Sequence, residues 1–151
     1  MDLNPALRIL ILGDQGLGKT SLCRALLSRF PELRYVSIND IRQKIGVEDI
    51  GGEYQAKEEF LRQVIRTRRP VLAECMGIGV TGYMLSDALT RKRKADIRVF
   101  YLKPEGYDPG PRDQHPDGAL FYFRHWDPVQ ITCKRTEDRL NAIVETLNLK
   151  V

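Results

Sequence analysis

Apolar residues fall along this chain in two arrangements. Some come in short unbroken runs; between these runs they recur every three or four positions. Unbroken runs read as strands buried on both faces, and the three-to-four spacing reads as helices with one buried stripe. The strands are Arg8 to Leu12, Leu33 to Ile38, Val71 to Cys75, Asp96 to Leu102 and Val129 to Cys133. The helices run from Lys19 to Phe30 (Leu22, Leu26, Leu27 and Phe30 inward), from about Tyr54 to Arg68 (Ala56, Phe60, Leu61, Val64, Ile65) and from about Tyr83 to Lys94 (Met84, Leu85, Ala88, Leu89). A last helix has Thr136 as its N-cap and Leu140, Ile143, Val144 and Leu147 inward. Alternation of buried strands with amphipathic helices predicts an α/β fold: a three-layer α/β/α sandwich on a five-stranded parallel sheet.

Punctuation falls between the runs. Pro31 and Pro70 end helices, and Gly46, Gly51 and Gly52 make residues 46–54 a loop. Gly77, Gly79 and Gly82 loosen the connection before Tyr83. From Lys103 to Pro128 periodicity fails, and five of the eight prolines lie there, which predicts a long surface loop with a short extended piece at Leu120 to Phe123. A loop of that length in a compact domain is usually functional, such as a lid, or disordered.

The break after the first strand carries the chemistry. Gly13-Asp14-Gln15-Gly16-Leu17-Gly18-Lys19-Thr20 fits G-x-x-x-x-G-K-[ST] at every fixed position, and Ser21 follows. Its glycines let the backbone turn N–H groups inward as an anion-binding nest, Lys19 supplies a point charge for the β- and γ-phosphates, and the Thr20 hydroxyl suits Mg²⁺. A helix beginning at Lys19 aims its positive dipole end at the same anion. The motif therefore predicts a P-loop that binds ATP or GTP with Mg²⁺.

Composition changes the picture little. The 151 residues predict one domain over 1–151, with 42% hydrophobic and 29% charged positions as in an ordinary globular protein. No apolar run approaches a membrane span and the N-terminal residues lack the plan of a secretion signal, so a cytoplasmic location is expected. Cys23, Cys75 and Cys133 are expected as reduced, buried thiols. The net charge of +4 suits a polyanionic partner. Two basic clusters, Arg66-Thr67-Arg68-Arg69 and Arg91-Lys92-Arg93-Lys94, contribute to it; both end helices, where the dipole alone explains them, and nucleic-acid recruitment is the competing reading. His115 and His125 have no partner at ligand spacing.

In parallel α/β sheets ligands bind beyond the carboxyl ends of the strands, so the P-loop, Asn39, Asp40, Arg42 and Glu74 should meet on one rim. Glu74, ending an apolar strand, is a candidate to hold a Mg²⁺-bound water or orient an attacking group, the alternative being a solvated strand-end acid. Asp40 is a candidate for a similar part, or else caps the turn into Ile41-Arg42-Gln43 with Asn39.

The order of P-loop, helix, strand ending in Val36-Ser37-Ile38-Asn39-Asp40-Ile41-Arg42, helix, strand ending in Glu74, helix and strand resembles the P-loop kinases of the polynucleotide-kinase and zeta-toxin type. The resemblance implies a nucleoside-monophosphate-kinase-like topology and transfer of a γ-phosphate to a nucleic-acid end, a nucleotide or another small hydroxyl compound. It implies that Lys19 neutralises the transferring phosphoryl, Thr20 binds Mg²⁺ and Arg42 grips the acceptor. The general base of these kinases stands three residues before the arginine, and here that residue is Asn39, which orients a hydroxyl but takes no proton. Either Asp40 substitutes or catalysis is weak or absent. Arg112 is the candidate for the lid arginine, beside Arg124, and Arg135 for a contact to the base. A Ras-like GTP switch is the competing class: Asp49-Ile50-Gly51-Gly52 resembles its D-x-x-G and Thr132-Cys133-Lys134 its last base-contacting segment, but Asn-Lys-x-Asp occurs nowhere. A nucleotide-binding protein without turnover is the third reading.

Overall fold

The computed structural model describes residues 3–104, 118–132 and 135–147. Five strands, β1 (Leu7–Gly13), β2 (Arg34–Ser37), β3 (Val71–Glu74), β4 (Asp96–Leu102) and β5 (Val129–Ile131), form one sheet in the order β2-β3-β1-β4-β5. Every pairing is parallel. The helices are α1 (Lys19–Arg29), α2 (Ile38–Ile45), α3 (Ile50–Arg66), α4 (Gly79–Thr90), α5 (Ala119–Tyr122) and α6 (Thr136–Thr146). The expected parallel sheet and three layers are both observed.

Strand alternation assigns each side chain to a layer. Ile9 and Ile11 of β1, with Leu72 of β3, pack against Leu22, Cys23 and Leu26 of α1 and Leu140 and Ile143 of α6. Leu10, Leu12, Ala73 and Cys75 face the other way, onto Ala56, Phe60 and Val64 of α3 and Leu85 and Leu89 of α4. Both faces are covered, which is why β1 is buried at every position. The same parity sets Glu74 on the α1 face and Cys75 on the α3 face. Cys23 and Cys75 are both free and buried, on opposite sides of the sheet. Cys133 lies outside the described residues.

Several boundaries differ from the periodic prediction. Strand β2 stops at Ser37, not Ile38, because Ser37 caps a helix that the pattern does not announce: its Oγ accepts from the Asp40 backbone N–H at 3.4 Å, and α2 follows with Ile38 and Ile41 buried. The predicted 46–54 loop shrinks to four residues. Asp49 Oδ1 accepts from the Gly52 N–H at 2.7 Å and starts α3 at Ile50, so Gly51 and Gly52 lie in its first turn. Helix α4 begins at Gly79 rather than Tyr83 and ends at Thr90. Gly82 does not loosen it: an added Cβ would lie 2.2 Å from the Gly77 carbonyl oxygen, so the residue is a close-packing point.

The segment expected to be extended is instead the short helix α5, Ala119–Tyr122, capped by Phe123, and Ala119 and Phe123, four apart, both bury against the α3 and α4 layer. Thr136 is the first residue of α6, whose N-cap is Arg135. Residues 105–117 of the predicted loop lie outside the described residues.

Candidate functional site

The loop after β1 is shaped by backbone demands that only glycine meets. Gly13 has φ 147° and an added Cβ there would lie 2.7 Å from the Leu102 carbonyl oxygen of β4, while Gly18 caps α1 in the left-handed region at φ 87°. Lys19, 9% exposed, donates from Nζ to the carbonyl oxygens of Gly13 (2.6 Å) and Asp14 (2.8 Å). Burial lowers its pKa, and the charges of Glu74 and Asp14 work against that shift. Leu17 accepts through its carbonyl from Arg139 Nη1 on α6. Gly16 and Ser21 are exposed, and Gln15 reaches the adjoining cavity.

Glu74 is 5% exposed and both of its carboxylate oxygens are engaged. Oε1 accepts from Thr20 Oγ1 at 2.8 Å and Oε2 accepts from the Tyr35 hydroxyl. Parity and register explain the arrangement: Ser37 pairs with Glu74, so Tyr35, two residues back on the same face of β2, reaches it diagonally, and Thr20 meets it from α1. Burial, then the bond to Glu74, push the Tyr35 hydroxyl's pKa above its usual value. Burial also pushes the Cys23 thiol up on this face, and pushes Cys75 on the other face to about 12.

The facing wall is α2. Asn39 and Arg42, one turn apart, line a cavity of about 150 Å³ together with Gln15, Lys19, Glu74 and the Cys75 to Ile78 segment. Arg42 does not stand alone there. Its Nε donates to both carboxylate oxygens of Glu53 on α3 (3.0 and 3.1 Å), its Nη2 donates to Glu53 Oε1 (2.6 Å) and its Nη1 donates to Asn39 Oδ1 (3.0 Å). These bonds hold the Glu53 carboxyl below its usual range. Because a guanidinium only donates, the Asn39 atom that it touches is the amide oxygen, which leaves the NH₂ group to donate outward.

The predicted rim therefore assembles in part. The P-loop, Asn39, Arg42 and Glu74 converge, while the exposed Asp40 does not line the cavity. Arg135 is exposed at the N-cap of α6, and Arg112 lies outside the described residues. Tyr35, Glu53 and Arg139 were not foreseen. Glu53 follows Arg42 by eleven residues on a different helix, a separation with no periodic signature, whereas Tyr35 could have been found from the alternation that aligns it with Glu74.

At the opposite end of the strands the two basic clusters are tied into structure. Lys92 Nζ donates to the Ile65 carbonyl (2.6 Å), Arg69 Nη2 to the Glu32 carbonyl (2.9 Å), and Arg91 pairs with Asp87 (3.0 Å). These contacts favour the dipole and capping reading of the clusters.

Among the described residues no cluster of three or more His, Cys, Asp or Glu could hold a metal by itself, and no helix is long and apolar enough to cross a membrane. A hydroxyl and a carboxylate 2.8 Å apart are hard oxygen donors, the set that Mg²⁺ uses when water and phosphate complete its shell. Thr20 and Glu74 thus fit that ion.

Similar folds occur among solved structures. Shikimate kinase from Aquifex aeolicus is 16% identical, with 94% of this chain and 96% of that chain covered and a TM-score of 0.61. APS kinase from Mycobacterium tuberculosis is 10% identical over 94% and 96%, with a TM-score of 0.63. The tunicamycin resistance protein of Deinococcus radiodurans is 15% identical over 95% and 96%, with a TM-score of 0.62. The fold is that of a kinase-like P-loop NTPase. No curated protein matches the sequence. A family model does match, over residues 6–81, half of the chain and the half that carries the P-loop, α2 and β3; the chain belongs to the PduV-EutP family, ethanolamine utilisation - propanediol utilisation.

Proposed function

We propose that the protein is a Mg²⁺-dependent phosphotransferase that moves the γ-phosphate of ATP or GTP to an acceptor held between the P-loop and α2. One observation carries the reading: the Lys19 and Glu74 side chains open onto the same cavity as Asn39 and Arg42, so a phosphate donor and a second molecule can share one enclosure. The likeness of fold to proteins named as kinases is compatible with this.

In the reaction the acceptor oxygen forms a bond to the γ-phosphorus while the bond from that phosphorus to the β-bridging oxygen breaks. A nucleoside diphosphate leaves with the electron pair. With a hydroxyl acceptor, one proton is released to solvent or to the new phosphate ester. Such a transition state is loose, and catalysis depends on positioning and charge neutralisation more than on early proton removal. Asn39, donating its NH₂ group, is suited to orienting the acceptor oxygen and not to taking its proton. Lys19 neutralises phosphate charge, and it exchanges the Gly13 and Asp14 carbonyls for phosphate oxygens to do so. Mg²⁺, held through Thr20 and Glu74, supplies further charge neutralisation when bound.

Calorimetry with ATP or GTP and Mg²⁺ on the native chain and on Lys19→Ala tests the first half. The expected result is uptake by the native chain and its loss in the variant. Following γ-phosphate transfer to nucleosides, nucleotides, 5′-hydroxyl oligonucleotides and small alcohols tests the second half, and binding without transfer to any of them refutes it.

The family match favours a second reading, GTP hydrolysis, since PduV-EutP is a P-loop GTPase-like family. Against a Ras-like switch, the sheet is wholly parallel and Asp49, first residue of the D-x-x-G sequence, serves as the cap of α3. A strong preference for GTP over ATP with phosphate released to water supports the second reading; indifference to the base removes it.

A further inference from the structure

We infer that the acceptor is an uncharged alcohol with an apolar body, and that Glu53 is the residue which excludes anionic acceptors. The inference rests on the phosphotransferase reading and deepens it.

The charges around the cavity decide the matter. Among the described residues three charged side chains line it, and each is already committed. Lys19 belongs to the P-loop and its phosphates, and Glu74 is held by the Thr20 and Tyr35 hydroxyls. Among the described residues Arg42 is the cation on the acceptor side. A carboxylate or phosphate on the acceptor would want its fork for a bidentate pair. The Nε–Nη2 edge of that fork is filled by Glu53 at 2.6–3.1 Å, and Nη1 donates to Asn39 Oδ1.

Lys57 stands behind the pair. It lies 3.7 Å from Glu53 Oε1 and over the Tyr54 ring, and it does not line the cavity. An acceptor anion would either displace Glu53 from that edge or take the remaining N–H groups beside it, and in both places it would face another negative charge. Opposed like charges in a partly desolvated site are strongly disfavoured.

What remains on the acceptor side, among the described residues, suits a neutral molecule. The polar groups there are the Asn39 amide and Thr81, and the rest of the wall is Ile38, Met76 and Ile78. The apolar character extends outside: Ile78 and Val80, at the start of α4, are 41% and 47% exposed. An alcohol would direct its hydroxyl at the Asn39 NH₂ group and lay its carbon skeleton against Ile38 and Ile78. Glu53 acts here through Arg42 and is a specificity residue, not a catalytic one.

The test uses a matched pair, cyclohexylmethanol and 4-(hydroxymethyl)cyclohexanecarboxylate, with the full chain. Binding to protein loaded with a non-hydrolysable ATP or GTP analogue is measured by calorimetry, and phosphate transfer is measured separately with ATP or GTP and Mg²⁺. The alcohol should bind at least tenfold more tightly than its carboxylate. In Glu53→Gln the ratio should move toward the carboxylate by tenfold or more, because the fork of Arg42 is released from a charge. Glu53→Asp, which keeps the charge, should restore preference for the alcohol, a recovery that a merely structural role for Glu53 would not produce.

Equal or tighter binding of the carboxylate to the native chain overturns the inference, as does a ratio that Glu53→Gln leaves unmoved. Preference for the alcohol in binding, with no transfer to either compound, refutes the phosphotransferase reading while the assignment of ligand class stands.

Discussion

Replacing Arg8 by methionine removes the head group of a side chain that is only 1% exposed and lies at the end of the sheet away from the P-loop. Its guanidinium is held by backbone carbonyls. It donates to Val64 (2.6 Å), Pro5 (2.9 Å), Leu7 (3.0 Å) and Arg69 (3.0 Å), and also to Thr67. Val64 is in the last turn of α3, where carbonyls lack intrahelical donors and the helix dipole favours a cation. Methionine preserves most of the buried stem, so the change isolates the bonds. The bonds to Val64 and Leu7 are buried, and each acceptor left without a donor costs about 1–3 kcal/mol. The other three acceptors are part-buried and take water. Opposing this, the variant no longer desolvates a cation, a burden visible in the lowered pKa of Arg8. That relief is partial, because guanidinium is more weakly hydrated than an ammonium and is bonded to five backbone carbonyls.

The net effect is a loss of about 2 kcal/mol. For a chain of this size that lowers Tm by about 4–8 °C. Thermal and urea denaturation of Arg8→Met measure it, with nucleotide affinity at 20 °C as the control; affinity should not change, since the P-loop is at the other end of β1. A Tm equal to or above that of the native chain would show that desolvation outweighs the carbonyl bonds and refute the reasoning.

Other outcomes follow from the same geometry. Tyr35→Phe takes a donor from Glu74, so Mg²⁺ half-saturation should rise about tenfold, corresponding to about 1.4 kcal/mol, with metal-free nucleotide binding unaltered; an unchanged Mg²⁺ titration would separate Glu74 from the ion. Gly82→Ala forces a Cβ to within 2.2 Å of the Gly77 carbonyl oxygen, and the overpacking should cost about 1–3 kcal/mol in urea denaturation. The buried Cys75 thiol rises from 9.0 to about 12 on folding. The raised folded value means that its contribution is fully present below pH 9.0 and is lost as pH climbs toward about 12, so Cys75→Ser should flatten the alkaline limb of the stability curve. In Cys133→Ser protein, the two remaining thiols should not react with a thiol reagent at pH 8 until the chain unfolds, and rapid labelling of the folded protein would contradict their burial.

Helices α2 and α5 were not legible in the sequence, whereas the five strands, the four longer helices between and after them, the parallel sheet, the two-sided core and the P-loop were. Each depends on interactions between near neighbours: apolar periodicity, a stop at proline, glycines where the backbone must turn left-handed, lysine and threonine at fixed offsets. Asn39 as a poor proton acceptor was also legible, because it follows from the chemistry of one side chain. Boundaries were less so where a cap outweighed composition, as when Ser37 started α2 and Asp49 drew Gly51 and Gly52 into α3. What the tertiary structure alone decided are the pairings across elements. Nothing within ten residues of Arg42 indicates that Glu53 will occupy its guanidinium, nothing near Arg8 indicates that α3 will end on it, and Asp40 leaves the cavity because the phase of α2 turns its side chain outward while Arg42 turns in. Such contacts are fixed by how helices dock on the sheet, a three-dimensional packing problem that no local pattern encodes.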